Sequence, residues 1–202
     1  MDELTSLACA AGRGDRAALA ELVRQTQSDV WRLCAYLVDP VSADDLAQDT
    51  YLRAIPALRR FRGDAPVRSW LLAIARRACA AELSARVRDR RLADRLAATP
   101  DAALSQPQAP PGAQAAVDDL LAALEPDRRA AFILTQLLGC SYTEAAAICE
   151  CPIGTIRSRV ARAREDLDAM TADPGETPRT APASGTGNLP ASYTRRTAFT
   201  VR

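Results

Sequence analysis

The side chains able to do chemistry in this 202-residue chain are guanidiniums, carboxylates, hydroxyls and thiols. All 26 basic residues are arginine, and there is no histidine, so the commonest general base and the commonest metal ligand are both missing. What remains is chiefly recognition chemistry. From Pro152 to Arg164 stand Arg157, Arg159, Arg162 and Arg164 with no acid among them, and from Arg53 to Arg91 eleven arginines are set against only Asp64, Glu82 and Asp89. A planar fork of donors that keeps its charge suits phosphate oxygens and the major-groove edge of guanine. Between Asp39 and Asp49 the sign reverses, with four aspartates and no arginine. Such a patch suits a basic protein partner, and a solvated helix face with ordinary N-terminal acids accounts for it as well. The formal net charge of +1 hides this segregation.

The elements that position these groups are helical. Ser141-Tyr142-Thr143-Glu144 is a capping box, so a helix starts at Tyr142 and runs to about Cys149. Glu150-Cys151-Pro152 follows, with a proline suited to the first position of another helix, and the spacing is that of a helix-turn-helix. On a wheel of about 100° per residue, Ile156, Val160, Ala163 and Leu167 form the core arc of that second helix. The opposite arc carries Thr155, Ser158, Ala161 and Arg162, with Arg157 and Arg164 on one flank and Arg159 on the other. Small or hydroxyl-bearing residues between arginines let a helix approach base edges closely. An arginine-rich solvated surface helix is the bland alternative.

Upstream, Leu19, Leu22, Val23, Val30, Leu33, Cys34 and Leu37 recur at helical spacing within one amphipathic block from about Leu4 to Leu96. Asp39-Pro40 interrupts it, and Ser42 before Asp44 and Asp45 marks a new helix over Ala43 to Ile55. Arg62-Gly63-Asp64-Ala65-Pro66 makes a second break. Ser69 then caps a helix from Trp70 to about Arg91, with Trp70 as a core anchor. Prolines 100, 107, 110 and 111 mark an interdomain linker, and the stretch beyond Pro174 reads as a disordered tail. The expectation is an all-α protein of two small helical domains, residues 1–96 and 115–170, with a flexible linker over 97–114 and a tail over 171–202. Its start is acidic and its apolar runs are short, which predicts no signal peptide, no membrane span and a cytoplasmic location.

Two stretches carry a family resemblance. Leu124-Glu125-Pro126-Asp127-Arg128-Arg129, Gly139 to Ala146 and Cys151 to Arg159 resemble region four of the extracytoplasmic-function subfamily of sigma-70-type RNA polymerase sigma factors. Ser42 to Ala54, Arg60 to Asp64 and Arg68 to Ala75 are similar to region two of the same subfamily. The resemblance implies promoter recognition on core RNA polymerase. It places minus-thirty-five contacts at Arg157, Ser158, Ala161 and Arg162, beside Thr155 on the same exposed arc. It places the grip on the clamp helices of the beta-prime subunit at Asp45, Gln48, Asp49 and Arg53, with the beta flap as a further polymerase contact. Minus-ten recognition and strand melting fall to the loop of Arg62, Asp64 and Arg68 and to Arg76 and Arg77, where cations along phosphates and a pocket for an unstacked base are needed. The family is commonly held inactive by an anti-sigma factor.

No cofactor is expected. Cys140, Cys149 and Cys151 can be read as a thiol sensor or zinc site, but the spacing is wrong for the usual pair and no histidine completes it. All six cysteines suit small buried hydrophobes in a reducing compartment. The rival reading is a stand-alone helix-turn-helix regulator, which gives the acidic helix no role. An enzyme is not expected, because histidine, a phosphate-binding glycine loop and a metal cluster are all missing from the sequence.

Overall fold

A computed structural model of the chain describes residues 2–96 and 113–171. Among the described residues there are α-helices and no strand. The first unit holds α1 (Glu3–Gly12), α2 (Arg16–Leu37), α3 (Ala43–Ala57), a tight helical turn (Leu58–Arg60) and α4 (Val67–Leu96). The second holds α5 (Ala113–Ala123), α6 (Pro126–Phe132) with a π-turn (Ile133–Leu137), α7 (Tyr142–Cys149) and α8 (Ile153–Thr171). The expected flexible linker and tail lie almost wholly outside the described residues.

The sequence pattern of the long block runs straight through a break that the structure shows at residues 13–15. Gly14 turns the chain with φ +100°, and Asp15 then caps α2, accepting from the amides of Ala17 at 2.9 Å and Ala18 at 3.0 Å. The apolar series places Leu22, Val23, Val30, Leu33, Cys34 and Leu37 in the core, with Leu19 half-buried against it. Gly12 ends α1 against the backbone carbonyl of Leu58, so close that a Cβ there would collide with it. α1 is thereby seated on the turn that follows α3.

α3 begins where Ser42 suggests, by a different mechanism. The serine hydroxyl makes no cap bond to the helix; Asp39 accepts the Ser42 amide at 2.7 Å, and Arg86 of α4 donates to the Ser42 hydroxyl at 2.6 Å. α4 starts earlier than expected and Ser69 does not cap it. The first amide, of Val67, donates to the hydroxyl of Thr5 in α1 at 3.1 Å, a cap 62 residues away in the chain, while Ser69 is buried inside the helix. Trp70 is half-buried against the core, its ring 5.1 Å from that of Phe61. Thr26 and Tyr51 share a buried hydrogen bond of 2.8 Å between α2 and α3, and burial pushes the Tyr51 phenol up to about 12.

The two units are packed together. α7 lies on α4, and one contiguous apolar cluster joins Val30, Leu33, Leu71 and Leu72 of the first unit to Ile133, Leu134, Ile148 and Ile156 of the second. Among the described residues no helix is long and apolar enough to cross a membrane.

Candidate functional site

The capping box forms as its residues require: the Glu144 amide donates to the Ser141 hydroxyl at 3.1 Å and the Ser141 amide to the Glu144 carboxylate at 2.8 Å. The bond from the Ser141 amide holds the Glu144 carboxyl below its usual range. α7 ends at Glu150, whose backbone is left-handed with φ 54°, and α8 opens on the Pro152 carbonyl, which takes the amides of Thr155 at 2.9 Å and Ile156 at 3.3 Å. These two ends fix the angle of the helix-turn-helix.

α8 turns Ile156, Val160 and Ala163 into the core, and Leu167 packs half-buried against a second small cluster. Its arginines then sort into two kinds. Arg159 pairs with Asp127 of α6 and reaches the Cys151 sulfur at 3.6 Å, while Arg164 donates to the Gln136 side chain at 2.7 Å. Arg128 reaches back from α6 to Asp166 at 2.8 Å, pinning α8 to the rest of the unit. Arg157 and Arg162 are exposed and make no hydrogen bond or ion pair among the described residues. Ser158 and Ala161 lie exposed beside them, and Thr155 is half-buried with its carbonyl taking the Ser158 hydroxyl at 3.0 Å. The face thus presents two uncommitted guanidiniums around a small-residue gap, a shape suited to a DNA groove.

On α3, Asp45, Gln48 and Arg53 are exposed and Asp49 half-exposed, spaced to share one face. Arg53 and Asp49 form an i,i+4 ion pair at 2.7 Å. The four aspartates counted together in the sequence divide: Asp39 is spent on Arg86 at 2.6 Å and Asp44 accepts from the Trp31 indole at 2.9 Å, whereas Asp45 makes no polar contact among the described residues. Sequence reasoning passed over Leu52 and Ile55, which are 65% and 40% exposed beside these polar groups. Their spacing outside the core set Leu46, Tyr51 and Ala54 was the available signal. An apolar patch rimmed by charge is the composition of a protein interface.

The third group is split. Arg62 and Asp64 are exposed on the loop before α4, where Gly63 adopts φ 78°. Arg68, Arg76 and Arg77 face the second unit instead. Arg68 is held by Asp29 at 2.6 Å and donates to the Leu138 carbonyl at 2.7 Å; Arg76 donates to the Ile148 carbonyl at 3.0 Å; Arg77 pairs with Glu150 at 2.8 Å. Sequence reasoning missed Arg32, which donates to the Leu137 carbonyl at 2.9 Å, and Glu150. All six cysteines are free thiols. Cys140 is buried against Arg68, with sulfur 3.4 Å from the guanidinium, and burial pushes the Cys149 thiol up to about 11. No group of three or more cysteine or carboxylate residues among the described residues is arranged to hold a metal ion.

The chain matches the family described as sigma-70 region 2 over residues 22–89 and that described as sigma-70, region 4 over residues 114–167. It is 47% identical over 174 residues to the ECF RNA polymerase sigma factor SigC of Mycobacterium tuberculosis, covering 85% of this chain and 91% of that one. It is 34% identical to the ECF RNA polymerase sigma-E factor of Escherichia coli, over 77% of this chain and 87% of that one. Among solved structures it resembles CnrH in complex with the cytosolic domain of CnrY, with TM-score 0.64 and 28% identity over 84% of this chain and 97% of that one. It also resembles the sigma factor RpoE in complex with the anti-sigma factor NepR from Bartonella quintana, with TM-score 0.62 and 30% identity over 75% of this chain and 95% of that one.

Proposed function

The chain belongs to the extracytoplasmic-function subfamily of sigma-70-type RNA polymerase sigma factors and directs promoter recognition and transcription initiation on core RNA polymerase, and we propose that it divides this work among three surfaces. Residues 1–96 dock on the polymerase and take the minus-ten element, residues 97–114 connect, and residues 115–170 read the minus-thirty-five element. Docking uses Asp45, Gln48, Asp49 and Arg53, strengthened by Leu52 and Ile55. Minus-ten recognition and melting use Arg62, Asp64, Arg68, Arg76 and Arg77. On α8, Arg162 and Arg157 are the donors, with Thr155, Ser158 and Ala161 lining the gap between them and the DNA. The chain acts by binding, bond-making is left to the polymerase, and it works in the cytoplasm with that enzyme.

The observation that carries this reading is the sorting of charge: Arg159 and Arg164 are committed inside the unit, while Arg157, Arg162 and Asp45 are exposed and uncommitted. A stand-alone regulator would leave the α3 face without a partner. Asp45→Arg with Asp49→Arg should abolish co-elution with purified core polymerase while helicity by circular dichroism stays unchanged; undiminished co-elution would refute the docking assignment. A protein that holds the chain inactive, as an anti-sigma factor does, is also part of the proposal, supported by the complex of RpoE with NepR. Tagged chain recovered from its native cells with only polymerase subunits, under every growth condition tried, would count against it.

A further inference from the structure

Where α3 ends and the tight turn begins, the surface opens into a cavity of about 740 Å³, within the ordinary range of small-molecule sites. Its polar lining is Arg53, Arg59 and Arg60, its apolar lining is Ile55, Pro56 and Ala57, and no acid lines it. The chain has no carboxylate from Thr50 to Gly63. Arg59 and Arg60 are exposed and make no hydrogen bond or ion pair among the described residues. Arg53 gives its Nε and one Nη to Asp49 at 3.0 and 2.7 Å, and a guanidinium so engaged still has the donors of its second Nη to offer. The turn that carries Arg59 and Arg60 is firmly seated. Leu58 is 3% exposed, its carbonyl abuts Gly12 of α1 and accepts the Phe61 amide at 3.1 Å, and the Phe61 ring lies 5.1 Å from that of Trp70.

Three guanidiniums held around one cavity with a single carboxylate at its rim leave a local excess of positive charge. We propose that the cavity is a binding site for an oligophosphate anion, a diphosphate or triphosphate group, with Arg53, Arg59 and Arg60 donating to its oxygens. A guanidinium meets phosphate oxygens two at a time, and phosphates joined in a short chain offer several such edges within one small volume. A lone phosphate has too few oxygens to serve all three cations. A DNA strand spaces its phosphates singly along a line, whereas these cations converge. The same oligophosphate chemistry comes from a free anion or from a nucleotide, whose base would rest on Ile55, Pro56 and Ala57. Arg53 and Ile55 also belong to the docking face, so a bound anion and core polymerase meet at the same two side chains and occupancy weakens docking. That consequence, unlike the site itself, rests on the docking reading.

The test is calorimetric titration of the full chain at low salt with inorganic phosphate, tripolyphosphate and GTP. Tripolyphosphate should bind about tenfold more tightly than inorganic phosphate, and Arg59→Ala with Arg60→Ala should weaken it about tenfold with helicity by circular dichroism retained. Arg59→Lys with Arg60→Lys keeps the charge, loses the fork, and should recover only part of the affinity. GTP binding more tightly than tripolyphosphate assigns a nucleotide as the source; GTP binding no more tightly assigns the free anion. Undiminished tripolyphosphate binding by the double alanine variant, or equal affinity for phosphate and tripolyphosphate, overturns the proposal. So does a labelled strand of twenty thymidines that loses more affinity through the two substitutions than tripolyphosphate does, since the patch would then be a nucleic-acid surface. Tripolyphosphate should also reduce co-elution of wild type with core polymerase, and that of the double alanine variant far less. If the anion binds through Arg59 and Arg60 yet leaves co-elution untouched, the site stands and the docking role of Arg53 and Ile55 fails.

Discussion

Two arginines three residues apart on α8 should behave in opposite ways when replaced by alanine. Arg162 is exposed with no partner among the described residues, so Arg162→Ala should leave stability within about 0.5 kcal/mol of wild type. If it reads a base edge, the same change should cost about 1 to 3 kcal/mol on the preferred minus-thirty-five sequence, roughly a 5- to 150-fold loss of affinity, and little on scrambled DNA. A phosphate contact would instead weaken both DNAs alike and lower the salt slope by about one unit. Arg159 has the reverse profile. Its side chain is 24% exposed and tied to Asp127, which is 51% exposed, so the pair is screened and its loss should cost up to about 1 kcal/mol, some 2 to 4 °C in Tm. Arg159→Ala should do this without selective loss on the preferred DNA. Electrophoretic binding of the full chain to both duplexes at two salt concentrations, with a thermal melt of each variant, separates the cases. Equal affinity of wild type and Arg162→Ala for every duplex would refute the recognition face, and so would a sequence-selective defect confined to Arg159→Ala.

Three further outcomes follow from the same structure. Gly12→Ala puts a Cβ against the Leu58 backbone carbonyl, which cannot swing away, and should cost about 1 to 3 kcal/mol, or about 2 to 12 °C in Tm by calorimetry. Glu144 and Asp2 are held below their ordinary values of 4.5 and 3.8 by bonds from the Ser141 amide and from Thr5, so their contribution is present above those values and fades as pH falls below them. Acid titration of folding should show this loss, and Glu144→Gln, which can still accept the Ser141 amide, should remove its share of the pH dependence. Truncation after Thr171 should leave initiation in vitro unchanged, because the stretch beyond has no apolar periodicity and no capping signal; reduced transcript yield would assign the tail a role.

What the sequence shows well is what lies within a turn or two of chain. Ser141 and Glu144 are three residues apart and satisfy each other, and the α8 core arc of Ile156, Val160 and Ala163 follows from periodicity alone. Features closed across the fold were hidden. The cap of α4 comes from Thr5, so the local rule that points to Ser69 fails there. Counting four aspartates as one docking patch overlooked Arg86 and Trp31, which arrive from other helices to take Asp39 and Asp44. The pairing of Arg76 and Arg77 with the end of α7 joins positions more than 70 residues apart, and no periodicity carries that information.

As a member of this family, the chain turns core RNA polymerase into a promoter-specific enzyme. The direct measurement is transcription in vitro with purified core polymerase and purified chain on genomic DNA, mapping the 5′ ends of the transcripts. Discrete starts that are absent without the chain are expected, each preceded by the same pair of sequence elements at constant spacing, and they should disappear with Asp45→Arg and Asp49→Arg. Starts no different from those of core polymerase alone would contradict it.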